Sequence, residues 1–153
     1  MMDMRQVIVP VDLQRHTDAL VAFALRTAAQ LGARVTLVHV VREVEYYSDY
    51  DSSSFEEFEA RNRRAVEERL AALLAGCRRT CPDCAAALLS VDPADAIVGY
   101  ARDNDIDLII MATHGAKGLD KILLGSVADR VVKRATCPVL LFNPYRHRDS
   151  AAR

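Results

Sequence analysis

Residues 107–129 read DLIIMATHGAKGLDKILLGSVAD: an apolar run of strand length, a loop with three of the chain's six glycines, and the opening of a helix. After its first residue the run Asp107–Ala112 is apolar throughout, where a half-exposed strand would alternate. That pattern suits a strand covered on both faces, as in a parallel sheet. Four other runs share its length and character: Val7–Val11, Val35–Val41, Ala85–Val91 and Pro138–Phe142. Helix-length amphipathic stretches separate them. The alternation predicts a single α/β domain with an open, parallel five-stranded sheet and helices on both faces, because parallel neighbours need a long crossover.

The crossovers carry their own signals. Leu20, Phe23, Ala24, Thr27, Ala28 and Leu31 at helical spacing predict a first helix, with Thr17 as its cap and Gly32 just past its end. A second is expected to begin at the capping box Ser54-x-x-Glu57, turning Phe55, Phe58, Ala65, Val66, Leu70 and Leu73 inward and leaving Glu and Arg on a solvated face. Asp92-Pro93, a cap followed by proline at the first helical position, opens a third that runs through Ile97 and Ala101 to about Asn104. The fourth runs from near Ser126 to near Ala135. The stretch VEYYSDYDSSS before the second helix has no apolar periodicity and reads as a loop. The tail after Asn143 is expected to fray, leaving one domain over 1–143 and a flexible tail over 144–153.

Composition narrows the function. The 153 residues, 51% of them hydrophobic, suffice for one core without disulfides or a structural metal. Twenty Lys and Arg against twenty-one Asp and Glu leave a net charge of −1, no footprint for nucleic acid or an anionic membrane. No apolar run approaches the ~20 residues of a membrane span, and MMDMRQ does not read as an export signal, so a soluble, cytoplasmic protein is expected. Four cysteines are too few for a disulfide scaffold.

In open parallel sheets a ligand sits beyond the carboxyl ends of the strands. The segments there are Val9-Pro10-Val11-Asp12, His39-Val40-Val41 and Thr113-His114-Gly115. Gly115, Gly118 and Gly125 permit close backbone approach, so amides can line one concavity, and Gly125-Ser126 opens a helix whose unpaired amides favour a phosphate. The competing reading of Ser126 is a capping box with Asp129. Asp12 reads either as a strand-end turn residue or cap, or as an acid that holds Mg²⁺ or hydrogen-bonds a base or ribose. His114 reads either as a phosphate donor or as a ring packed on its loop. Lys117 and Lys121 read as solvated.

These segments, VPVD, HVV, T-H-G-x9-G-S-V and the closing CPVLLF, resemble the universal stress protein family, specifically its nucleotide-binding branch, over about residues 5–143. Two positions depart from the family pattern: Ala112 stands where its signature has a first glycine, and Val91 where glycine is usual. The resemblance implies a Rossmann-like sheet of order 3-2-1-4-5, similar to the adenine nucleotide alpha hydrolases, binding ATP with or without Mg²⁺. It implies that Pro10, Val11 and Asp12 contact the nucleoside, that Val40 and Val41 line the adenine pocket, and that Gly115 and Gly118 flank ribose and phosphates. Gly125, Ser126 and Val127 would take the terminal phosphates, Ala112 would lie on the ribose side, and Asp12 would face His114. It further implies a homodimer through the last strand, Val139, Leu140, Leu141 and Phe142, an edge whose unpaired backbone invites another chain.

Cys77-x3-Cys81-x2-Cys84 has the spacing of a cluster-binding motif and contains a redox-like CPDC, but it joins a helix to the third strand on the opposite edge of the sheet. In the implied order Cys137 would lie four strands away, roughly 19 Å, so loop thiols without a site role are expected. Tyr46, Tyr47 and Tyr50 sit among Glu43, Glu45, Asp49 and Asp51, which disfavours contact with a triphosphate. The expected function is an ATP-binding regulatory homodimer of the stress response. The alternatives are a slow ATP hydrolase and a homologue that acts by protein contacts alone. The chain lacks Gly-x4-Gly-Lys-Ser/Thr, and the reading leans away from catalysis.

Overall fold

The computed structural model describes residues 3–42, 52–114 and 124–145. Strands and helices alternate as β1 (Gln6–Pro10), α1 (Thr17–Leu31), β2 (Arg34–Val41), α2 (Ser52–Arg78), β3 (Ala85–Ser90), α3 (Pro93–Asp103), β4 (Leu108–Ala112), α4 (Ser126–Arg134) and β5 (Val139–Phe142). All four strand pairings are parallel, in the order β3-β2-β1-β4-β5.

Strand side chains alternate between faces, and the core divides accordingly. Val7, Val9, Leu37, Leu108 and Ile110 pack with Leu20, Ala24 and Ala28 of α1 and Leu70 of α2. Ile8, Val38, Ile109 and Met111 pack on the other face with Ala94, Ile97 and Ala101 of α3 and Ala128 and Val131 of α4. Ile8, Leu37 and Ile109 are wholly enclosed, each contributing about 1.5–3 kcal/mol of hydrophobic stabilisation. The apolar runs are continuous because both faces of the central strands are covered.

Three helix starts differ in detail from the sequence expectation. Thr17 is the first residue of α1, not its cap: His16 holds the cap position without a side-chain bond, and the buried Thr17 hydroxyl donates to Asp12 Oδ1 at 3.1 Å. α2 begins at Ser52, ahead of the Ser54 box, and Phe58 and Ala65, expected inward, are exposed. A helix of 27 residues spans about 40 Å, whereas the eight-residue strand β2 spans about 26 Å, so the first half of α2 outruns the sheet it covers. α4 begins at Ser126 without the Ser126–Asp129 capping box, since Asp129 instead pairs with Lys133 at 2.9 Å. α3 matches its signal: Asp92 accepts the Asp95 amide at 3.1 Å, and Pro93 follows it.

Candidate functional site

The site is a consequence of where pairing stops. β1 pairs with β4 only through Val7–Leu108 and Ile8–Ile109, while β4 stays paired with β5 as far as Ala112–Phe142. Beyond that point β1 turns with β2, where the Val11 amide donates to Val38 O at 2.8 Å. The two middle strands therefore part at their carboxyl ends, the switch point of the topology. A cavity of about 800 Å³ fills the gap, within the size range of small-molecule sites.

Of the residues singled out from sequence, Pro10, Val11, Asp12, Val40, Ala112, His114, Gly125, Ser126 and Val127 all line this cavity. Val41 does not; it is half-buried at the end of β2, paired with Ser90. Gly115, Gly118, Lys117, Lys121 and the three loop tyrosines lie outside the described residues. Asp12 and His114 do face the same space from β1 and β4.

The inner wall is apolar, formed by Val38, Val40, Ile97 and Met111. Met111 follows Ile109 at the two-residue strand period and Ile97 follows Pro93 by one helical turn, so both were recoverable from periodicity. Sequence reasoning missed Gln14, His16 and Arg42 as lining residues, and placed His39 at the ligand end of the sheet without a role. The position of His39 at the end of a strand was the available signal, and its role is plain in the structure. His39 Nδ1 lies 2.7 Å from the Val11 carbonyl, tying the end of β2 to the turn after β1.

That turn is held in an unusual shape. Leu13 adopts a left-handed backbone, φ 59°, in a segment without glycine. Such a conformation costs a non-glycine residue about 1–3 kcal/mol, and burial of the leucine side chain, worth about 1.5–3 kcal/mol, offsets it. Asp12 Oδ1 accepts the Gln14 amide at 2.9 Å as well as the Thr17 hydroxyl, so this carboxylate organises the turn it stands in.

At the opposite wall Gly125 is required by proximity, not by its dihedral angles (φ −57°, ψ 151°). Its amide donates to Thr113 O at 2.8 Å, and a Cβ at this position would sit 2.9 Å from that oxygen. Only glycine lets α4 begin this close to β4. As the cap of α4, Gly125 contributes no side chain, and no side-chain cap is formed there. Ser126 and Val127, in the first turn at the positive end of the helix dipole, thus line the cavity, the arrangement that suits an anion. His114 Nδ1 lies 2.9 Å from Thr113 Oγ1, and its ring packs edge-on against Tyr145 at 5.9 Å. Ala112 does not take a positive φ and continues β4, so the strand does not need glycine there.

The cysteines are elsewhere. Cys77 belongs to the last turn of α2 and Cys84 directly precedes β3, both buried in the core, so they are core residues more than loop thiols. Burial pushes the Cys84 thiol up to about 12, the neighbouring Cys77 adding to the effect, and burial raises Cys77 and Cys137 as well. All four are free, and among the described residues no group of three His, Cys, Asp or Glu could hold a metal ion.

Sheet order, splayed central strands and a helix start aimed into the gap define a doubly wound α/β protein with its crevice at the switch point. A profile of the universal stress protein family matches residues 4–143, and the chain belongs to that family. A universal stress protein from Thermus aquaticus is 34% identical over 140 residues, covering 90% of this chain and 97% of that one. Among solved structures, universal stress protein UspA from Lactobacillus plantarum superposes with a TM-score of 0.82 at 21% identity, covering 94% of this chain and 100% of that one. The universal stress protein from Archaeoglobus fulgidus in complex with dAMP gives a TM-score of 0.63 at 24% identity, covering 92% of this chain and 98% of that one. Among the described residues no helix is long and apolar enough to cross a membrane.

Proposed function

We propose that this chain is an ATP-binding regulatory protein of the stress response, acting as a homodimer in the cytoplasm. The observation that carries the reading is the capless start of α4: Gly125, Ser126 and Val127 present a helix N-terminus to a cavity whose other wall is apolar. A molecule with a flat apolar end and an anionic end suits that polarity. The dAMP held by the Archaeoglobus fulgidus relative is of this chemistry. In this reading Val40 borders the base, Pro10, Val11 and Asp12 meet the nucleoside, Ala112 lies by the ribose, and the α4 amides hold the phosphates. Gly115 and Gly118 complete the phosphate side. Mg²⁺ would be shared between Asp12 and phosphate oxygens, since Mg²⁺ sites commonly use one or two carboxylates plus substrate phosphates.

Mass spectrometry of natively purified protein tests the reading. An adenine nucleotide is expected to co-purify with the wild type and to be lost from Ser126→Asp, which sets a carboxylate where the phosphate belongs. An acid in the first helical turn favours the helix, so the loss would not come from unfolding. Undiminished nucleotide in the variant would overturn the assignment. Phosphate release that vanishes in Asp12→Ala would instead place the protein among hydrolases.

A further inference from the structure

We propose that Arg69 of α2 is the positioning residue of the nucleoside turn, coupling the packing of α2 to the affinity of the crevice. The inference rests on the nucleotide reading above and deepens it by naming what holds the turn. The turn from Asp12 to Thr17 is unusual in combining a left-handed Leu13 with no glycine. Most of its internal bonds are local: Asp12 Oδ1 to the Gln14 amide and the Thr17 hydroxyl, and Gln14 O to the Thr17 amide at 3.0 Å. Local bonds shape the turn but do not fix it to the body of the protein.

Besides the Val11 amide bond to β2 and the edge-on contact of His16 with Tyr145, side-chain bonds to two carbonyls of the turn do that. His39 of β2 engages the Val11 carbonyl, and the Arg69 guanidinium donates to the Leu13 carbonyl from 56 positions further along the chain. The carbonyls on either side of Asp12 are thereby both held, which sets the direction in which Asp12 enters the cavity. Arg69 is well placed to hold its end, because the next residue, Leu70, is buried in the same core cluster as Leu13. Its neighbours on the helix behave differently: Arg61 and Arg63 pair with Glu57 and Glu67 on the helix surface. Arg69 is exposed as they are, but its guanidinium turns back to a backbone carbonyl of another segment. Any coupling between the turn and α2 is reciprocal, so a bound nucleotide steadies α2 as α2 steadies the turn.

The test is calorimetric titration of AMP and of ATP into the wild type, Arg69→Met, which keeps the apolar stem and removes the donors, and Arg69→Lys, which restores one donor group. The methionine variant is expected to bind roughly 10-fold more weakly, with partial recovery in the lysine variant. Hydrogen exchange is read in parallel: the Gln14 and Thr17 amides should exchange faster in Arg69→Met without ligand, and added AMP should protect residues 66–74 in the wild type more than in that variant. Equal affinity in wild type and Arg69→Met would overturn the coupling and leave the nucleotide reading standing. A lowered melting temperature with unchanged affinity would make Arg69 a structural anchor only, and would also overturn it. Failure of the wild type to bind AMP or ATP would overturn the nucleotide reading, and the coupling with it.

Discussion

Val91 holds a φ of 85° with more than half its surface in solvent, at the corner where β3 gives way to the cap of α3. A β-branched residue in that region is strained by about 1–3 kcal/mol, and an exposed valine gains little from burial in return, in contrast to Leu13. Glycine removes the strain but adds freedom to the unfolded chain, at about 0.5–1 kcal/mol. Val91→Gly should therefore raise the unfolding free energy by about 1 kcal/mol, measured as a shift in urea midpoint at unchanged slope; no shift, or a loss, would refute the strain. Such positions show how residue-scale legibility fails. Apolar spacing reports which side a residue faces and is silent on the sign of its φ, so Leu13 could not be read as a bend, and Val91 carried a sign only in the glycine that the family pattern usually has there. Gly125 could be read as a close approach because it closes a loop that holds three of the chain's six glycines.

Between elements, an ionic contact joins α4 to α3 beside the buried packing of Ala128 and Val131. Arg130 reaches Asp92 at 2.9 Å and Asp95 at 3.4 Å, and Arg134 pairs with Asp95, so the basic face of α4 is tied to the first turn of α3. The hydrogen bond from Arg130 holds the Asp92 carboxyl below its ordinary value of 3.8, helped by the Asp95 amide that it caps. A carboxylate lowered in the folded state contributes stability above its unfolded value and loses it as pH falls through the folded one. Asparagine caps a helix as well as aspartate does, so Asp92→Asn removes the charge and keeps the cap. The variant should be slightly less stable at pH 7 and should lose less stability between pH 5 and pH 2 than the wild type, followed by thermal melts across that range. Parallel acid limbs would show that the pair does not contribute. The start of α3 was legible because Asp-Pro states a cap locally. The length of α2 relative to its sheet was not, because no local pattern says how far a neighbouring strand extends, and Phe58, apolar at helical spacing, is exposed.

At the scale of the molecule, five apolar runs with helical spacers were enough to predict a parallel two-faced sheet, since burial on both sides leaves its mark in every central strand. The crossing order was not in that pattern; it came from the resemblance of the loops. The last strand illustrates the difference between a run and its use. Phe142 closes β5 but is buried and stacks on Phe23 at 5.1 Å, so it serves the core of its own chain and not an outer contact. What β5 offers at the edge of the sheet is Val139 and Leu140, half-buried, and Leu141, exposed. An apolar edge strand without proline or charge is a template for pairing, and in the proposed homodimer its occupant is the β5 edge of a second copy. Sedimentation or light scattering should then find a two-chain species for the wild type. Leu141→Lys, which places a charge on the edge and leaves Phe142 in the core, should yield a folded monomer with the same melting temperature at low protein concentration. A wild type that is monomeric at high micromolar concentration, or a lysine variant that stays dimeric, would move the interface away from β5.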